Sequence, residues 1–112
     1  MTVMRAEMVP VCEVDRLAPG RGVAALLPDG RQVAIFRTGR DEFYGLSNMD
    51  PFGRAAVLSR GLTGDAQGVP FVASPLLKQR FDLRTGVCLD DETVRVRAYR
   101  VHVVDGVVHV RP

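Results

Sequence analysis

The chain contains no tryptophan, one lysine (Lys78) and two cysteines, and each scarcity narrows the field. Cys12 and Cys88 stand 76 positions apart. Met1–Pro10 carries Arg5 and Glu7 instead of the apolar stretch of an export signal. Two reduced, structural thiols in a cytoplasmic protein are therefore expected in preference to a disulfide. No apolar run reaches the roughly 18 residues of a membrane span. Charge of one sign is also missing: 15 basic residues against 13 acidic give +2. The arginines are scattered from Arg5 to Arg111, so no nucleic-acid footprint forms. Linkers, repeats and low-complexity tracts are absent.

What remains points to one all-β domain. The 112 residues suit a single domain, 1–112, with a core over about residues 7–112. Valine occurs 18 times, and the 11 glycines and 7 prolines supply turns. Strands are expected at Glu7–Glu13, Gly22–Leu27, Gln32–Thr38, Glu42–Ser47, Val69–Ser74, Gln79–Leu83, Tyr99–Val104 and Val107–Arg111, about nine in all. Pro28-Asp29-Gly30 and Asp105-Gly106 are turn sequences with a mechanism, and the second is the strongest hairpin signal in the chain. Asn48–Gly68 reads as an aperiodic excursion with at most one helical turn near Ala55–Leu58, a length that marks a functional loop. The acid run Asp90-Asp91-Glu92 reads as a solvated loop. The sum is an antiparallel β-sandwich or small barrel.

Candidate chemistry is thin. Two Cys and two His match in number the ligands of a Rieske [2Fe–2S] centre, but Cys12, Cys88, His102 and His109 lie at least seven residues apart. Such a centre needs Cys and His paired on tight loops. The Asp105-Gly106 hairpin places His102 opposite His109, with Arg100 opposite Arg111 on the same face. A cationic, solvent-facing pair without a carboxylate is a poor zinc site. Gly20-Arg21-Gly22 lacks the following helix that phosphate binding requires. Ser47, Ser59 and Ser74 have no base near them in sequence. No catalytic residue and no metal site is assigned.

Two segments carry more information. Asn48-Met49-Asp50-Pro51-Phe52 leads into Leu58-Ser59-Arg60-Gly61. It resembles the first cluster-binding loop of a Rieske domain, Asn-x-Cys-Pro-His followed by Leu-Ser-x-Gly. The segment from Ser74-Pro75-Leu76-Leu77-Lys78 to Phe81-Asp82-Leu83-Arg84-Thr85-Gly86 resembles the second, Cys-Pro-x-His-Gly-x-x-Phe-Asp-x-x-Thr-Gly. At all four ligand positions the residue differs: Asp50 and Ser74 replace Cys, and Phe52 and Leu77 replace His. Lys78 replaces the glycine after the second His. Phe and Leu offer no donor atom, and Asp50 with Ser74 alone cannot hold two irons. Phe52 and Leu77 are expected to fill the vacated volume with an apolar contact between the loops.

This combination is similar to the small subunit of the assimilatory NAD(P)H-dependent nitrite reductase. The resemblance implies a Rieske-like fold with two modified loops, about 48–61 and 74–80, and no cofactor in this chain. It implies a large-subunit partner carrying FAD, an NAD(P)H site, an iron–sulfur cluster and sirohaem, which moves six electrons to nitrite and makes ammonium. The small subunit then acts by contact. The expected interface is the loop tip, with Pro51, Phe52, Arg54, Leu76, Lys78 and Arg80 meeting an acidic rim of the partner. A cluster-bearing ferredoxin is the alternative that the lost ligands oppose. A free-standing Rieske-like interaction module without redox role is the second alternative.

Overall fold

The run Val33-Ala34-Ile35-Phe36 has no polar interruption, which suits a strand covered on both faces. It is the centre of the molecule. The computed structural model describes residues 8–112. In it, strand β3 (Gln32–Arg37) buries all four of these side chains completely. Val33 and Ile35 point into one core and Ala34 and Phe36 into another.

Eleven strands are present among the described residues. β1 (Val9–Glu13), β2 (Arg21–Leu26), β3, β4 (Phe43–Ser47), β10 (Ala98–Val104) and β11 (Val107–Arg111) form an antiparallel sheet in the order β1-β11-β10-β4-β3-β2. The sheet curls. Val9 and Val11 from one edge and Val23 from the other pack on the same core of Leu17, Leu27, Val33, Ile35, Tyr99, Val108 and Val110. The opposite face of β3 and β4 stacks on a smaller sheet of β7 (Leu62–Ala66), β8 (Val69–Ala73) and β9 (Arg80–Asp82). Phe36, Leu46, Leu58, Val72, Phe81, Leu83, Cys88 and Val96 fill the space between them. β5 (Met49–Asp50) and β6 (Ala55–Ala56) make a two-stranded ribbon beside this layer.

Both turns singled out in the sequence close hairpins, joining β2 to β3 and β10 to β11. His102 faces His109 and Arg100 faces Arg111, as the two-residue loop requires. The expected start of the first strand, Glu7, lies outside the described residues. Val103, on the face of β10 opposite the histidines, is exposed, because β4 pairs with β10 only at Ala98 and Tyr99. The excursion from Asn48 to Gly68 is not aperiodic. It holds β5, β6, a 3-10 turn at Leu58–Arg60 and the strand β7. β7 turns into β8 at Gln67-Gly68, where both residues have positive φ (54° and 89°), the geometry of a primed hairpin turn. Both cysteines are free thiols: Cys88 is in the core, and burial pushes the half-buried Cys12 thiol up against a smaller opposing pull from Arg16.

Candidate functional site

The two loops leave the smaller layer side by side, and each is built on the same five-residue turn. In the first, the Arg54 amide donates to the Asp50 carbonyl at 2.7 Å; in the second, the Lys78 amide donates to the Ser74 carbonyl at 3.1 Å. Each turn has proline at its second position and ends on a left-handed residue, Arg54 (φ 56°) and Lys78 (φ 68°). That conformation favours glycine and costs a larger residue about 1 kcal/mol. Both positions nevertheless carry a long cation.

The first loop is sewn into the fold by Asn48, whose role nothing in the sequence motif alone reveals. Asn48 is buried. Its Nδ2 donates to Gln32 Oε1 (3.0 Å) and to the Ala56 carbonyl (3.2 Å), and its Oδ1 accepts from the Ser59 amide (2.7 Å). Its backbone adds a bond in each direction, to the Gln32 carbonyl and from the Leu58 amide. The Asn at the head of one motif and the Leu-Ser at the head of the other are thus two ends of one knot.

The four lost ligand positions have three different fates. Asp50 and Ser74, fully buried, come together: the Ser74 hydroxyl donates to Asp50 Oδ2. Asp50 Oδ1 also accepts the amides of Phe52 (2.8 Å) and Gly53 (3.2 Å), and Ser74 Oγ accepts the Leu76 amide (3.2 Å). A buried carboxylate is tolerable only with such donors around it. Phe52 turns inward, its ring 6.2 Å from that of Phe81. Leu77 does not fill the space beside it, contrary to expectation. It is 56% exposed. The turn closed between Ser74 and Lys78, with the Leu76 amide held by Ser74, leaves Leu77 at its outer corner. Leu76 crosses to the first loop instead, so close to Gly53 that an added Cβ there would lie 2.5 Å from Leu76 Cδ1.

Of the six residues expected at the interface, Pro51, Arg54, Leu76 and Lys78 are exposed and Phe52 is half-buried. Arg80 is a supporting residue. Its Nη2 and Nε reach Asp90 Oδ1 (2.8 Å) and Oδ2 (3.2 Å), its amide donates to Asp90 Oδ2, and its guanidinium lies over the Phe71 ring. The Arg80 hydrogen bonds hold the Asp90 carboxyl below the usual carboxylate range. Asp90, Asp91 and Glu92 are all exposed, as expected for a solvated loop, and Asp90 in addition pairs with Arg80. The Phe81–Gly86 motif is explained by the same kind of economy. Burial alone would raise Asp82, but hydrogen bonds from Arg84 outweigh it and leave the carboxyl lowered. Gly86 has φ +84°, and a Cβ there would meet the Val96 carbonyl at 2.0 Å.

This curled sheet, with a smaller sheet carrying two paired loops, defines a Rieske-like domain, and residues 7–111 match the family described as Rieske-like [2Fe-2S] domain. The nitrite reductase (NADH) small subunit of Salmonella typhimurium is 51% identical over 102 residues, covering 90% of this chain and 94% of that protein. A solved structure of an NADH-dependent nitrite reductase small subunit from Mycobacterium tuberculosis agrees with a TM-score of 0.91 at 46% identity over 94% of each chain. In Klebsiella oxytoca a 100-residue stretch of the NAD(P)H nitrite reductase large subunit is 47% identical, covering 89% of this chain and 10% of that protein. The chain belongs to the nitrite reductase small-subunit family of Rieske-like domains.

The family description implies a [2Fe–2S] cluster, and the residues in place do not fit one. Asp50 and Ser74 spend their oxygens on each other and on loop amides, the Phe52 ring lies against Phe81, and Leu77 faces outward. None of the four is a thiolate or an imidazole, the donors such irons take. Among the described residues, no three His, Cys, Asp or Glu side chains gather as metal ligands.

Proposed function

We propose that this chain is the small, non-catalytic subunit of an NAD(P)H-dependent nitrite reductase that converts nitrite to ammonium in the cytoplasm, acting by contact with the large subunit. FAD, the NAD(P)H site, the iron–sulfur cluster and sirohaem belong to that partner. The observation that carries the reading is the match along 94% of a nitrite reductase small subunit, the two modified loops included. The Klebsiella large subunit, which holds a related stretch within its own polypeptide, supports a direct association. No helix among the described residues is long and apolar enough to cross a membrane.

The docking surface in this reading is the loop tip: Pro51, Leu76 and Leu77 as an apolar knob, with Arg54 and Lys78 as its cations. Phe52 and Arg80 support it from behind. Rieske-type loops present this end to an electron partner; here no electron carrier stands behind it, so the surface binds and orients. The test is nitrite-dependent NAD(P)H oxidation by the purified large subunit, titrated with this chain. A rate that rises and saturates is the expected result. No change in rate together with no co-purification would leave the fold and remove the function.

A further inference from the structure

We infer that the hydrogen bond from Ser74 to Asp50 takes over the mechanical task of a bridging metal: it locks the two five-residue turns together and presets Arg54, Leu76, Leu77 and Lys78 as one docking face. The inference rests on the docking reading above and adds the two residues that position the face without belonging to it.

Three observations converge. First, the bridge joins the two positions that head the turns, 24 residues apart in sequence, and both side chains are fully buried, so the partner meets neither. Second, each partner also organises its own turn. Asp50 Oδ1 takes the Phe52 and Gly53 amides and Ser74 Oγ takes the Leu76 amide, so each group is fixed locally before it is fixed across. Third, the turns end on left-handed cations. Non-glycine residues persist there only where the surroundings hold them, and such strain clusters at binding and switch regions. The other non-glycine residues of positive φ among the described residues, Gln67 and Asp105, sit in two-residue hairpin turns that demand it. Arg54 and Lys78 lie instead in the longer loops that join β5 to β6 and β8 to β9. The Arg54 amide closes the first turn on the Asp50 carbonyl, the Lys78 amide closes the second on the Ser74 carbonyl with the Ser74 amide bonded to the Gln79 carbonyl, and the Asp50–Ser74 bridge ties the two closures into one unit.

The energetic consequence concerns binding more than folding. Surface loops that must be ordered on association subtract from affinity, and a preset loop avoids that cost. A metal would supply rigidity with bonds to both loops. Here a hydrogen bond between two buried side chains supplies it. The crossing of Leu76 over Gly53 adds an apolar contact on the outer side of the bridge.

The test uses the full chain with Ser74→Ala, which removes the bridge and keeps the core, and Asp50→Asn, which keeps the shape of the first turn. Ser74→Thr retains the hydroxyl and serves as the rescue. Amide hydrogen exchange is read on the free chain. With Ser74→Ala, exchange at Phe52, Gly53 and Arg54, in the loop that carries no substitution, accelerates about tenfold, the scale of one buried hydrogen bond. Ile35 and Phe36 in β3 stay as slow as before, and Ser74→Thr restores the loop. Acceleration confined to Leu76–Lys78 would overturn the inference. The second reading is the concentration of chain giving half-maximal stimulation of the large subunit. It rises about tenfold for Ser74→Ala and Asp50→Asn, with the rate at saturation preserved. A wild-type value in both variants would overturn the presetting role. If the wild-type chain itself fails to bind, the docking reading falls, and the exchange result still decides whether the lock exists.

Discussion

The two loops share one turn and differ in everything around it. The first is an anchor: Asn48 knots it to Gln32, Ala56 and Ser59, Phe52 reaches Phe81, and Leu58 is fully buried. The second stands out from the domain, with Leu76 46% and Leu77 56% exposed and Lys78 exposed beside them. Identical backbone geometry therefore does two jobs, and the side chains decide which. Inward-facing groups make the first loop part of the fold. Outward-facing apolar groups leave the second loop exposed, and the proposed docking reading places the large subunit there. The Asp50–Ser74 bridge lets the anchored loop lend its rigidity to the exposed one.

That division can be broken from the anchored side first. Asn48→Ala strips three side-chain hydrogen bonds from a buried site and leaves their partners unpaired. The expected cost is about 3 kcal/mol in denaturant unfolding. Leu77→Ala in the exposed loop should stay within about 0.5 kcal/mol of wild type. Equal costs would erase the contrast. Phe52→Ala is expected next, at about 1–2 kcal/mol for a half-buried ring. Coupling to Phe81→Leu in a double-mutant cycle should be about 0.5–1 kcal/mol. Lys78→Gly relieves the left-handed backbone and is expected to stabilise the fold by up to about 1 kcal/mol, while removing a cation from the docking face. A thermal scan beside a binding measurement separates the two effects.

The smallest effect is on acid stability. Arg84 hydrogen bonds outweigh burial at Asp82, and Arg80 hydrogen bonds act at Asp90, so both carboxyls are lower in the folded chain than in the unfolded one. Groups of that sign contribute their stability above the unfolded value, and it is lost as pH falls through the folded one. Stability should hold from neutral pH down to about 4 and fall below it. Asp82→Asn should flatten that fall, read as the urea midpoint against pH. An unchanged profile would remove Asp82 from the account.

Much of the fold was legible because its signals are local. Pro28-Asp29-Gly30 and Asp105-Gly106 close hairpins through their own turn chemistry. The strand expected at Gln32–Thr38 is present as β3 over Gln32–Arg37. β7 was not legible: Leu62-Thr63-Gly64-Asp65-Ala66 shows no alternation. Its place is set by β8, whose Phe71 ring lies where a Cβ on Gly64 would be, 2.6 Å from Cζ. At the site, the sequence exposed the lost ligands but not their new partnerships. In the sequence, Asp50 and Ser74 stand out together only as a pair that cannot hold two irons. The signal available was that an acid and a hydroxyl replace the two thiols, a complementary donor and acceptor. The Arg80–Asp90 pair, ten residues apart, has no signal in the sequence, because Asp90 lies in an exposed acid run whose other members do not reach Arg80. Leu77 read as a filler because its type is apolar, and only the turn closure at Lys78 decides that it faces out.

The most direct measurement is the affinity of the large subunit for this chain with Leu77→Asp and, separately, Lys78→Glu, each checked for unchanged thermal unfolding. Both side chains are exposed and sit in the outward loop. The account predicts a loss of affinity of about tenfold or more for each, the scale of a residue central to an interface, with the fold intact. Wild-type affinity in both variants would contradict it, and would place the contact with the large subunit elsewhere on the domain.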